Sequence, residues 1–264
     1  MTALRAARLC RLMAAIGIGL AGCATGPAID TRHEAVSQGP RVDTLVLHYT
    51  ALDFPTSLHV LTRQSVSSHY LVDVDPPTIY RLVDEARLAQ HAGVSQWGAR
   101  RMLNGSSIGI EIVNRGRVNG PDGPRFEPYP EAQIQAVIAL VRDIVRRHGI
   151  RPDRVLGHSD IAPGRKLDPG PMFPWKRLAE EGLALWFDEA RAAALRPPFE
   201  AQLPPVSWFQ ARLARMGYLV PLGGELDEAT RQVLVSFQMR FRPARHDGLP
   251  DAETAAILAA LTSP

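Results

Sequence analysis

The densest run of chemistry-bearing residues is Gly157-His158-Ser159-Asp160-Ile161-Ala162-Pro163-Gly164-Arg165-Lys166-Leu167-Asp168-Pro169-Gly170-Pro171. A histidine and an aspartate ten residues on are separated there by turn formers and a lysine. Such a loop can fold back and bring His158 and Asp168 to one point. Imidazole nitrogen and carboxylate oxygen both bind zinc, at about 2.0–2.2 Å. A third ligand of the right type is His48, at the end of an apolar run. Three protein ligands leave a fourth position open to water, the arrangement of a hydrolytic zinc site and not of a structural one. Spacing alone also fits a capping histidine and a turn aspartate. The eight histidines include no H-E-x-x-H pair at helical spacing.

These residues need a scaffold, and the hydropathy pattern supplies one. Residues 42–48, 70–74, 108–113 and 154–158 read as buried strands. Residues 131–148 read as a helix, with Ile134, Val137, Ile138, Val141, Ile144 and Val145 on one face, Pro130 at its start and Gly149 past its end. Shorter helices are expected over 57–64 and 176–189. Strands mixed with helices predict an α/β domain with a mixed central sheet flanked by helices, over residues 41–190. Residues 196–206 hold four prolines, so 191–206 reads as an extended, semi-rigid linker. Residues 207–262 carry three helical patterns and the spacing G-x-x-D-x-x-T twice, at Gly224–Asp227–Thr230 and Gly248–Asp251–Thr254. Each aspartate is placed to cap a helix. This tail predicts a small three-helix domain, read as a binding module for polymeric substrate; a packing domain that only stabilises the rest is the alternative, and truncation after Arg196 distinguishes the two.

The N-terminus reads as an address. Arg5, Arg8 and Arg11 precede an apolar run of about ten residues, too short for a membrane span, which needs about twenty. The run ends in Leu20-Ala21-Gly22-Cys23 and resembles a bacterial lipoprotein signal, which implies cleavage after residue 22 and acylation of Cys23. An ordinary signal peptide with a chance cysteine is the alternative. Under the lipoprotein reading Cys10 is removed and Cys23 consumed, so no thiol remains unpaired. Residues 23–40 are polar and aperiodic, a tether. Ala24, rather than aspartate, favours the outer membrane, with the protein facing the periplasm. The formal charge of +3 also depends on this leader; without its three arginines, 27 basic residues face 27 acidic ones. That balance argues against a nucleic-acid binder held by counterion release and against a basic membrane patch.

Five segments carry a family resemblance: Val46-Leu47-His48-Tyr49-Thr50-Ala51, Ser67-Ser68-His69-Tyr70, the run from His91 to Trp97, the run from Asn104 to Glu111, and the loop from Gly157 to Pro171. They resemble the zinc-dependent N-acetylmuramoyl-L-alanine amidases of type 2, which share their fold with peptidoglycan recognition proteins. The tail resembles the peptidoglycan-binding three-helix domain appended to such enzymes. The resemblance implies zinc (Zn2+) on His48, His158 and Asp168. It implies Glu111 as the acid that activates water and Lys166 as the group facing the oxyanion. The strand pattern agrees for Glu111, because Ile108, Ile110 and Ile112 alternate to one face and leave it on the other. Composition agrees for Lys166, because the chain has 28 arginines and only two lysines. His91 is expected to hydrogen-bond substrate and His69 to pack beneath the site. One departure is Gln90 before His91, where an aromatic is expected in a wall of the cleft.

The implied activity is hydrolysis of the amide between N-acetylmuramic acid and L-alanine, with peptidoglycan or muropeptides as partners. Two rivals remain at this stage: a peptidoglycan-binding module without catalysis, and a zinc peptidase cutting within the stem peptide.

Overall fold

The alternation of apolar side chains in the first strand sends Leu45 and Leu47 to one face of a sheet and Val46 and His48 to the other. Both faces are buried, as a central parallel strand requires. In the computed structural model, which describes residues 26–121 and 123–263, the elements follow in order. They are β1 (Thr44–Tyr49), α1 (Phe54–Arg63), β2 (Tyr70–Val72), β3 (Ile79–Arg81), β4 (Gln96–Trp97), β5 (Arg100–Arg101), β6 (Ser107–Ile112), β7 (Arg117–Gly120), β8 (Gly123–Phe126), α2 (Glu131–His148), β9 (Val155–Gly157), α3 (His158–Ile161), α4 (Trp175–Glu180), α5 (Glu189–Ala201), α6 (Val206–Met216), α7 (Glu228–Phe241) and α8 (Ala252–Thr262). The expected signal peptide and Cys23 lie outside the described residues. Residues 26–39 belong to a first unit and carry no helix or strand; residues 40–264 form a second unit. No helix among the described residues is long and apolar enough to cross a membrane.

The central sheet has the order β3-β2-β6-β1-β9, with β2, β6, β1 and β9 parallel and β3 antiparallel at the edge. Helix α2 has the expected bounds and covers one face through Ile134, Val137, Ile138, Val141 and Ile144. Gly149 closes it at φ 64°, a left-handed position that glycine takes without strain. The other face, with Val46 and Leu156, packs against Phe209, Leu213, Phe237 and Leu258 of the C-terminal helices.

The structure corrects two expectations. Residues 189–201 form α5, so much of the expected linker at 191–206 is helical even though Pro197 and Pro198 lie inside it. Proline in a helix interior costs about 3 kcal/mol. Asp188 caps the start by accepting from the Arg191 amide at 3.0 Å, and Ala192 and Phe199 join the shared apolar cluster, which supplies the compensation. The C-terminal helices share one apolar cluster with the sheet. The helix expected over 176–189 also ends early. Gly182, at φ 70°, and Leu183 turn the chain with amide bonds back to Ala179 and Leu178 at 2.8 and 2.9 Å.

The internal repeat is a structural device. Asp227 accepts from the Thr230 amide at 2.7 Å, and Asp251 from the Thr254 amide at 2.8 Å. A buried glutamine completes each copy. Gln210 accepts from the Gly224 amide and donates to Glu225 carbonyl and Thr230 hydroxyl. Gln238 does the same with Gly248, Leu249 and Thr254.

Candidate active site

The register of the sheet builds the site. In β1 and β6 His48 stands opposite Glu111, and Leu47 stands opposite Gly157 of β9. His158 therefore follows directly beside His48, at the carboxyl ends of adjacent parallel strands, where open α/β sheets bind ligands. The loop after α3 then returns Asp168 to the same point. Nδ1 of His48 lies 2.9 Å from Nδ1 of His158, and each lies 3.0 Å from Oδ2 of Asp168. All three residues are buried.

Two imidazole nitrogens and a carboxylate oxygen at this separation fit a cation better than they fit one another. His158 decides the point through its far nitrogen. Nε2 lies 3.0 Å from the Ala92 carbonyl, which can only accept. The nearby Arg165 Nη2 has two hydrogens, and both are used on the carbonyls of Ala92 and Val94, at 2.7 Å each. Nε2 of His158 therefore carries its proton, and Nδ1 presents a lone pair to Asp168. Burial pushes the His48 imidazolium down to about 4, with His158 adding to the effect, so His48 is neutral at physiological pH. Two imidazole Nδ1 lone pairs converging with an aspartate carboxylate make a zinc-type donor set.

Glu111 lies at the edge of this triangle, with Oε1 4.0 Å from Nδ1 of His48. Its Oε2 is buried and has no hydrogen-bond partner. Burial pushes the Glu111 carboxyl well above its usual value, Asp168 adds to this, and Lys166 opposes it. A cavity of about 400 Å³ opens over the group, lined by Glu111, His158, Lys166 and Asp168 together with Tyr49 and Gln90. The five residues expected from sequence to bind metal or act on substrate thus meet at one place.

His91 is there too. Its Nδ1 lies 3.0 Å from Nε2 of His48, and its Nε2 lies 3.1 Å from the Ser107 hydroxyl. Both nitrogens thus have protein partners, while the residue also lines the cavity. His69 packs beneath, accepting at Nδ1 from the Gly109 amide at 3.0 Å. The site also has supports that sequence reading missed. Asp160, two residues past His158, accepts from the Gly157 amide at 2.8 Å, from Tyr218 hydroxyl at 2.6 Å and from Arg240 at 2.7 Å. The last two come from the C-terminal helical region, so that region holds the loop carrying a metal-type ligand. Arg240 stands seven residues after Val233 and three after Phe237, on the apolar face of α7, so the helical period was the signal that could have marked it as buried.

Comparison with known proteins agrees with this geometry. A family model described as N-acetylmuramoyl-L-alanine amidase matches residues 38–171, and one for a peptidoglycan binding domain matches residues 202–258. The chain is 44% identical over 266 residues to N-acetylmuramoyl-L-alanine amidase AmiD of Escherichia coli K12, covering 94% of this chain and 95% of the relative. It is 33% identical over 140 residues to 1,6-anhydro-N-acetylmuramyl-L-alanine amidase AmpD of Enterobacter cloacae, covering 53% of this chain and 70% of that one. Among solved structures it is similar to E. coli AmiD in complex with the substrate anhydro-N-acetylmuramic acid-L-Ala-D-gamma-Glu-L-Lys, with a TM-score of 0.80 at 44% identity, over 88% of this chain and 93% of that one. It is also similar to Pseudomonas aeruginosa AmpDh3 in complex with anhydromuramic pentapeptide, with a TM-score of 0.82 at 42% identity, over 89% and 97%. The mixed sheet, the His48–His158–Asp168 triangle and these matches together make the chain a member of the type-2 N-acetylmuramoyl-L-alanine amidase family.

Proposed function

We propose that this protein hydrolyses the amide between the lactyl group of N-acetylmuramic acid and L-alanine in peptidoglycan or its muropeptide fragments. The observation that carries the reading is the triangle of His48, His158 and Asp168 beneath a cavity that also exposes Glu111 and Lys166. His48, His158 and Asp168 would hold a zinc ion. Zinc so held would acidify a water towards a pKa of about 7 and polarise the scissile carbonyl. Glu111 takes the water's proton on Oε1, the oxygen that approaches the ligand group at 4.0 Å from His48 Nδ1. Its raised affinity for that proton suits it to deliver the proton next to the departing nitrogen of L-alanine. The Lys166 ammonium stands on the cavity wall and stabilises the negative charge that develops on the carbonyl oxygen. A compact ammonium matches a single oxygen better than a planar guanidinium does.

The C-terminal helices are assigned peptidoglycan binding and, through Asp160, support of the catalytic loop. A peptidoglycan-acting enzyme belongs in the cell envelope. We assign it there by a lipid anchor on Cys23, at the outer membrane and facing the periplasm. Cys23→Ser should then move the protein from the membrane to the soluble fraction; sedimentation with membranes after a salt wash would reject the anchor. The activity is tested by mass spectrometry of digested peptidoglycan. Free stem peptides beginning at L-alanine are expected. Shortened stems would make it a peptidase, and an unchanged digest would make it a binding module.

A further inference from the structure

Metal binding by histidine requires one bare nitrogen, and the proton on the other ring nitrogen decides which one that is. Here the far nitrogens of both histidine ligands meet one dipeptide. His91 Nδ1 lies 3.0 Å from Nε2 of His48, and the carbonyl of Ala92 lies 3.0 Å from Nε2 of His158. The dipeptide is itself pinned, because Asn104 Oδ1 accepts from the His91 amide at 3.1 Å and from the Ala92 amide at 2.7 Å. We propose that His91-Ala92 is a tautomer clamp. It holds the proton on Nε2 of both histidine ligands, so that both Nδ1 atoms face the metal.

For His158 the clamp is a carbonyl and has one direction. For His48 the direction is set further out. The Ser107 hydroxyl donates to the Leu103 carbonyl at 2.7 Å. With its one proton used, Ser107 offers only lone pairs to Nε2 of His91 at 3.1 Å. Nε2 of His91 must then carry the proton, which leaves Nδ1 of His91 as an acceptor. Nε2 of His48 in turn donates to it, and Nδ1 of His48 is left bare. Reversing the Ser107 hydroxyl would reverse every link and put a proton on the metal-facing nitrogen. Ser107, Leu103, His91 and His48 are all buried, so solvent does not reset the chain. The His91 ring has a slot cut for it in β6. A Cβ on Gly109 would come within 2.5 Å of that ring, which only glycine avoids. His91 is thus a positioning residue acting through His48, and its role rests on the metal site proposed above.

The test measures zinc affinity by competition with a chromophoric chelator, in wild type, His91→Leu, His91→Asn and His158→Ala. Loss of a group that orients a histidine ligand typically weakens metal binding about 10–100-fold. His91→Leu is expected in that range. His91→Asn offers a carbonyl oxygen near the position of Nδ1 and should restore most of the affinity. Wild-type affinity in folded His91→Leu overturns the clamp, and so does an asparagine variant no better than leucine. Failure of His158→Ala to lose zinc would instead overturn the metal site itself. Where His91→Leu does not fold, the wild type still decides. Long-range 1H–15N spectra of the zinc-loaded protein should show protons on Nε2 of both His48 and His158. A proton on Nδ1 of either one refutes the proposal.

Discussion

Arg240→Met tests how far the C-terminal helices hold the catalytic loop. Arg240 and Asp160 form an ion pair at 2.7 Å with side-chain exposures of 4% and 1%. The guanidinium also lies 4.0 Å over the Trp175 ring. Methionine keeps much of the apolar stem but leaves the Asp160 carboxylate buried with only neutral donors, Gly157 and Tyr218. Breaking a buried pair from one side costs about 3–5 kcal/mol. A domain of this size loses about 2–4 °C in Tm per kcal/mol, so the expected drop is roughly 6–20 °C. Thermal melts of the metal-free protein provide the assay. Arg142→Met is the control, because its pair with Glu181 is half exposed and worth about 1 kcal/mol at most. Adding Asp160→Asn removes the stranded charge and should recover a large part of the loss. The reasoning fails if Arg240→Met melts with Arg142→Met, or if Asp160→Asn in the Arg240→Met background recovers nothing.

Three further outcomes are expected. Truncation after Arg196 should destabilise the catalytic region and lower turnover even of a small soluble muropeptide, because it uncovers Val46, Leu156 and Asp160; normal turnover by the truncated chain would show two independent domains. Glu111→Gln should keep its zinc, measured by metal analysis, while hydrolysis falls about 10²–10⁴-fold; unimpaired turnover would remove Glu111 from the chemistry. The Arg147 guanidinium, against the opposing effect of burial, holds the Glu85 carboxyl down at about 2, below its usual 4.5. A lowered folded-state pKa gives stability that is present above pH 4.5 and lost as the pH falls towards 2. Denaturant melts across that window should show the wild type losing its advantage over Glu85→Gln, and a constant gap would contradict the linkage.

Much of this site was legible in the chain because its parts are local. Period-two alternation in β6 places Glu111 opposite the isoleucines, and the period of α2 gives its buried face and both ends. The G-x-x-D-x-x-T spacing marks two helix caps that need only three residues of reach. Residue types in the loop from 157 to 171 name the metal donors, since few side chains can bind zinc. What the sequence could not decide is everything that depends on which distant surfaces meet. The register of β1 against β6 and β9 brings His48, Glu111 and His158 together, and strand pairing is set by the whole sheet. Four prolines between 196 and 206 argue locally for an extended spacer, yet apolar contact with the tail carries the helix through two of them. The contact of His91 with His48 could not be read from the chain, because a histidine's type says nothing about its neighbours. Only the folded chain puts its two nitrogens against His48 and Ser107. That Asp160 and Arg240 meet is decided only in the folded chain, where burial removes water from both and each needs the other.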